Sequence, residues 1–199
     1  RAFRNQRQWH AQAMRIDLLL LDVAGVLVQY QRTRRVLHLA QALDVPAATV
    51  QAALYESGLE TAHDSGALDA TAYLARLGQQ LGRTVDARTW IAARQAASHP
   101  QDAVLQRLEH LQVPLAVLTN NGALMLQALP SLLPALFPAL NGRVFCSADF
   151  GLRKPQPAVF QRVLEVLQVA PARTLFVDDL FANVRGARAA GLHAETVRH

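Results

Sequence analysis

Residues 18–28 read Leu-Leu-Leu-Leu-Asp-Val-Ala-Gly-Val-Leu-Val, an apolar run broken by one carboxylate, Asp22. A run without polar alternation marks a strand buried on both faces, as in parallel sheets covered by helices. It delivers Asp22 to the carboxyl edge of the strand, where open α/β sheets bind their ligands. A glycine-containing turn follows and lets another backbone approach closely. Leu- and Val-rich runs at 16–22, 114–119, 143–147, 173–178 and 192–197 are read as five strands. Helical periodicities at 101–111, 156–168 and 181–190 fall between the later ones. Strands alternating with helices predict an α/β fold, a doubly wound parallel sheet.

Residues 31–99 break the rhythm. They hold no convincing strand but four helical patterns, near 33–43, 46–57, 69–81 and 86–97, with Asp69 and Asp86 placed as N-caps. The block reads as an inserted helical lid, so the division is a core of 15–30 and 100–199, a cap of 31–99, and an N-terminal extension of 1–14. The extension is basic and polar, is expected to be flexible, and lacks the apolar centre of a secretory signal; Met14 is a natural start for the core. Pro130, Pro134 and Pro138 recur every fourth residue, so 129–142 is expected to form short helical turns rather than one helix.

A hydrophobic fraction of 51% with 18% charged residues excludes a disordered chain. The formal charge of +5 is modest, and neither a nucleic-acid partner nor a membrane partner is expected from it. No apolar stretch reaches the roughly 18 residues of a membrane span. Cys146 is the single cysteine, so an intrachain disulfide is impossible, a packed inert thiol is expected, and a cytoplasmic setting follows. Nineteen of the twenty basic residues are arginine, which leaves Lys154 alone as lysine.

Four polar clusters end or closely trail the predicted strands: Asp22; Thr119-Asn120-Asn121-Gly122; Lys154 within Gly151-Leu152-Arg153-Lys154-Pro155; and Asp178-Asp179. Singly each has a plain structural reading, as a turn former, a helix cap or a solvated charge. Their order and spacing resemble the haloacid dehalogenase (HAD) superfamily over residues 16–197, closest to its phosphatase branch with a helical cap. Residues 151–160 and 176–191, Phe-Val-Asp-Asp-Leu-Phe-Ala-Asn-Val-Arg-Gly-Ala-Arg-Ala-Ala-Gly, are similar to that branch's third and fourth motifs. The resemblance implies a HAD-like Rossmannoid core and a hydrolase of a small phosphorylated metabolite, monomeric or homodimeric, working through an aspartyl phosphate at Asp22. It implies Mg²⁺ held by Asp22, the backbone carbonyl of Ala24, Asp178 and Asp179. Thr119 and Asn120 would bind the phosphoryl group, Lys154 would neutralise its charge as a compact point cation, and Asn183 would orient the fourth-motif loop.

Ala24 is the departure, because the phosphatases carry a second aspartate there as general acid and base. Its loss implies an impaired enzyme or one specialised for good leaving groups. The alternatives are a silent phosphate- and metal-binding protein, a phosphonatase-like enzyme and a dehalogenase-like enzyme. The phosphonatases use a lid lysine as a Schiff base, and residues 31–99 contain none. Dehalogenases do not need the acidic pair Asp178-Asp179. Elsewhere, His63 and Asp64 are read as an exposed interhelical loop that could face substrate. Arg32, Arg34 and Arg35 are read as a solvated helix start that could attract an anion, and Tyr73 and Trp90 as packing residues.

Overall fold

The computed structural model describes residues 15–197, so the extension expected over 1–14 lies outside the described residues. Five parallel strands make the central sheet: β1 (Leu18–Leu21), β4 (Leu115–Thr119), β5 (Val144–Cys146), β6 (Thr174–Asp178) and β7 (His193–Thr196). Their order is β5-β4-β1-β6-β7, so the chain leaves the central β1 for one side and returns to continue on the other. That reversal opens a crevice at the carboxyl ends of β1 and its two neighbours, the site such sheets offer to ligands.

Two-sided burial explains the unbroken apolar runs. Leu19 and Leu21 of β1 and Leu115 and Val117 of β4 face one apolar cluster. Leu18, Leu20, Ala116 and Leu118 face the other, with Phe160, Val163, Val184 and Ala187. Those four come from α8 (Pro157–Leu167) and α9 (Phe181–Ala189), which cover that face.

The helical block contains α1 (Arg32–Leu43), α2 (Ala47–Gln51) with a π-helical turn after it, α3 (Leu59–Asp64), α4 (Ala70–Leu81) and α5 (Ala87–Ala96). Asp69 and Asp86 cap α4 and α5 through the amides of Ala72 and Thr89. The first sheet cluster continues without a break through α7 (Ala123–Leu132) into this block, to Leu39, Leu54, Tyr73 and Trp90. Two strands not expected from the sequence, β2 (Val28–Tyr30) and β3 (Ser98–Pro100), pair antiparallel and join the block to the sheet. α6 (Asp102–Glu109) then leads into β4.

The reading of 129–142 needs a correction at its start. α7 continues through Pro130 to Leu132, and only from Pro134 does the chain break into a 3₁₀ turn. Pro130 sits in the last turn, where its ring costs a single amide bond rather than a whole helix interior. Among the described residues no helix is long and apolar enough to cross a membrane.

Candidate active site

Asp22 follows β1, Thr119 ends β4 and Asp178 ends β6, three neighbouring strands, so the sheet order alone brings these residues to one edge. Lys154 comes in from the loop before α8. Its Nζ lies 2.9 Å from Asp22 Oδ1 and donates to Asp178 Oδ2 at 2.7 Å, with all three side chains buried. The ammonium thus bridges two carboxylates that would otherwise repel at close range. Burial pushes the Asp22 carboxyl above the usual carboxylate range; the Lys154 ammonium pulls it down and the nearby Asp178 adds to the rise.

Asp178 is the most tightly held member. Its Oδ1 accepts the Leu180 amide at 2.8 Å, and Asn183 Nδ2 reaches both of its oxygens at 3.0 Å. Asp179 lies over the turn after Asp22, for a Cβ added to Gly25 would come within 2.3 Å of its Oδ2. With φ at +81°, Gly25 has a second reason to lack a side chain. The close approach that the turn permits is therefore by a side chain, not by backbone as the sequence suggested. Ala24 sits half-buried between Asp22 and Gly25.

The second loop is braced to the third. Asn120 Nδ2 donates to the Lys154 carbonyl and the Lys154 amide donates to Asn120 Oδ1, both at 2.9 Å. Asn121 Nδ2 donates to Thr119 Oγ1 at 2.6 Å. A hydroxyl that accepts in this way still carries one proton to give. Behind the site α9 meets the third loop closely, since a Cβ on Gly186 would lie 2.0 Å from the Pro155 carbonyl oxygen.

One carboxylate oxygen from each of Asp22, Asp178 and Asp179 lies within 4.8 Å of the others. Three hard oxygen donors on one rim suit Mg²⁺ better than a soft or imidazole-loving metal, so the residues fit the ion the sequence suggested. Cys146 takes no part: burial, with Asp149 and Asp64 adding to it, pushes its thiol up to about 12.

Two expectations for the helical block are overturned. His63 and Asp64 belong to α3 rather than to an exposed loop. His63 is 2% exposed and stacks on Tyr73 with ring centroids 4.5 Å apart. Its ring packs where a Cβ on Gly122 would be, and Asp64 Oδ1 accepts the Gly122 amide at 3.1 Å. Arg35, read as solvated, is fully buried, paired through two hydrogen bonds with Glu60 at 2.8 and 2.9 Å and packed over Trp90. Tyr73 does more than pack, since its hydroxyl donates to Glu60 and accepts from Trp90 Nε1. Two residues that sequence alone offers no reason to single out are Glu60 and, in α5, Arg94, whose Nη2 donates to Asn121 Oδ1. The helical pattern 86–97 is the one signal at Arg94, and Glu60 falls in the polar stretch between two helical patterns.

A family model described as haloacid dehalogenase-like hydrolase matches residues 16–191. Phosphatase MT3486 of Mycobacterium tuberculosis (strain CDC 1551 / Oshkosh) is 27% identical over 92% of this chain and 88% of its own. A HAD-like family hydrolase from Porphyromonas gingivalis superposes with a TM-score of 0.74 at 23% identity, over 92% of this chain and 91% of that one. HAD family enzyme bt-2542 of Bacteroides thetaiotaomicron, crystallised with magnesium and inorganic phosphate, gives 0.72 at 19% identity over 92% and 94%.

Proposed function

We propose that this chain, which belongs to the haloacid dehalogenase-like hydrolase family, is a Mg²⁺-dependent phosphatase of a small phosphorylated metabolite. The observation that carries the reading is the meeting of Asp22, Lys154, Asp178 and Asp179 at the ends of β1 and β6 and in the loop before α8. A relative named a phosphatase and a similar fold crystallised with magnesium and phosphate support it.

Asp22 attacks phosphorus, the bond to the leaving oxygen breaks, and the phosphoryl group rests on the Asp22 carboxylate until water hydrolyses it. Thr119 donates its hydroxyl proton to a phosphoryl oxygen, with Asn120 holding the loop in place. Lys154 supplies positive charge to nucleophile and phosphoryl group together, the main electrostatic task of such a transfer. Asn183 is a positioning residue that fixes Asp178. Bound by Asp22, Asp178, Asp179 and the Ala24 carbonyl, Mg²⁺ would neutralise charge where two anions must meet. Nothing at position 24 protonates the leaving oxygen, so the reading favours aryl and acyl phosphates, whose leaving groups depart as anions. We also place the helical block 31–99 as the cap over this edge, and the protein in the cytoplasm.

The test is phosphate release from phenyl phosphate and acetyl phosphate with Mg²⁺ and with chelator. Release that needs Mg²⁺ is the expected result. Release that survives chelation overturns the metal assignment, and Mg²⁺ binding without any release would make the chain a silent binder.

A further inference from the structure

Beside the catalytic edge lies a polar cavity of about 250 Å³, smaller than the roughly 300–1,000 Å³ of drug-sized sites. Arg32, Arg35, Arg94 and Arg153 line it, with Tyr30 and Asn121 among its other walls. These four guanidiniums face two carboxylates, Glu60 and Asp64. Glu60 is spent on Arg35 through two hydrogen bonds. Asp64 accepts a backbone amide and acts on Arg94 and Arg153 only at longer range, without an ion pair to either. Among the described residues, no carboxylate lies within ion-pair distance of Arg32, Arg94 or Arg153.

Arg94 is the most telling of the three. It is 6% exposed, stacks over Tyr30 at 4.1 Å from the ring centroid, and its buried Nε has no hydrogen-bond partner among the described residues. A buried guanidinium with an unused donor is costly unless something satisfies it. The surroundings bear on Tyr30 too: burial pushes its hydroxyl up, yet the charges of Arg35 and Arg94, with hydrogen bonds to Tyr55 and Arg35, together hold it below the usual phenol range.

The cavity is tied to the chemistry by two residues. Arg94 Nη2 donates to Asn121 Oδ1 at 3.3 Å, and Asn121 in turn donates to Thr119 Oγ1. Arg153 directly precedes Lys154. Resting on the phosphatase reading, we propose that this cavity receives a second anionic group of the substrate, a carboxylate or a further phosphate, gripped by Arg94 and Arg153. The substrate class is then a short phosphate ester with an acidic far end.

Calorimetry in Mg²⁺ tests this without turnover. The probes are alkylphosphonates with two-, three- and four-carbon chains, ending in a methyl, a carboxylate or a second phosphonate. At least one spacer length is expected to bind tenfold or more tighter with an acidic end than with a methyl end. Whichever acidic end is tighter distinguishes the carboxylate from the phosphate. Arg153→Gln, at a half-buried position, and Arg94→Gln are each expected to shrink that ratio to threefold or less. The ratio is read within each variant, so a general loss of affinity does not mimic the effect. Should Arg94→Gln fail to fold, Arg153→Gln carries the result. Equal affinity of all ends at every spacer overturns the proposal alone, as does a preference that survives Arg153→Gln. Binding of no phosphonate at all overturns the phosphate site with it.

Discussion

Position 24 carries a methyl group, which on the proposed mechanism can neither protonate a leaving oxygen nor activate water. General acid–base help is typically worth 10²–10⁴-fold, about 3–5 kcal/mol of barrier. Ala24 sits half-buried two residues after Asp22, so a carboxylate there would project from the same turn. Ala24→Asp is therefore expected to raise alkyl-phosphate turnover at least tenfold, measured as kcat/KM. An unchanged rate would mean another group already supplies the proton. Single residues differed in how legible they were. Lys154 stood out as the lone lysine, and its bridge between Asp22 and Asp178 accounts for that. Arg35 looked like any arginine in a helix start, because its partner Glu60 is 25 residues away and only the fold joins them.

At the scale of elements, α3 is one of the parts that fasten the helical block to the sheet, beside the β2–β3 pair and the packing of α5 on α7. Asp64 Oδ1 holds the Gly122 amide, and the Asp64 carbonyl accepts from Ser147 Oγ at 3.0 Å. Burial, with the Glu60 charge adding, raises the Asp64 carboxyl to about 6, against pulls from Arg94, the Gly122 amide and Arg153. The folded chain therefore holds this proton more tightly than the unfolded one. The resulting stability is fully present below about pH 4 and is lost as pH rises through about 6. Asp64→Asn keeps an oxygen for Gly122 and removes the charge. After allowance for solvent screening it should stabilise by roughly 1–2 kcal/mol at pH 7.5, about 2–8 °C in Tm. The gain should have disappeared by about pH 3.5. A variant no more stable at pH 7.5, or equally more stable at both, would contradict this. The strands were legible because two covered faces leave a continuous apolar run, as in Leu18–Leu21. α3 was not, because Glu60, His63 and Asp64 read as a polar loop until Tyr73, Arg35 and Gly122 are brought against them.

Taken whole, the molecule is a sheet that gathers three strand ends and a helical block that brings arginines beside them. The first half follows from strand order, since Asp22, Thr119 and Asp178 need only adjacent β1, β4 and β6 to meet. The second half depends on long-range packing, which local pattern does not encode. If Asp22 carries the phosphoryl group, acid-quenched peptide mapping after mixing with acetyl phosphate and Mg²⁺ will find it there. A phosphoryl group on the peptide containing Asp22, absent with chelator and from Asp22→Asn, is the predicted result. Phosphate release that continues undiminished in Asp22→Asn would contradict it.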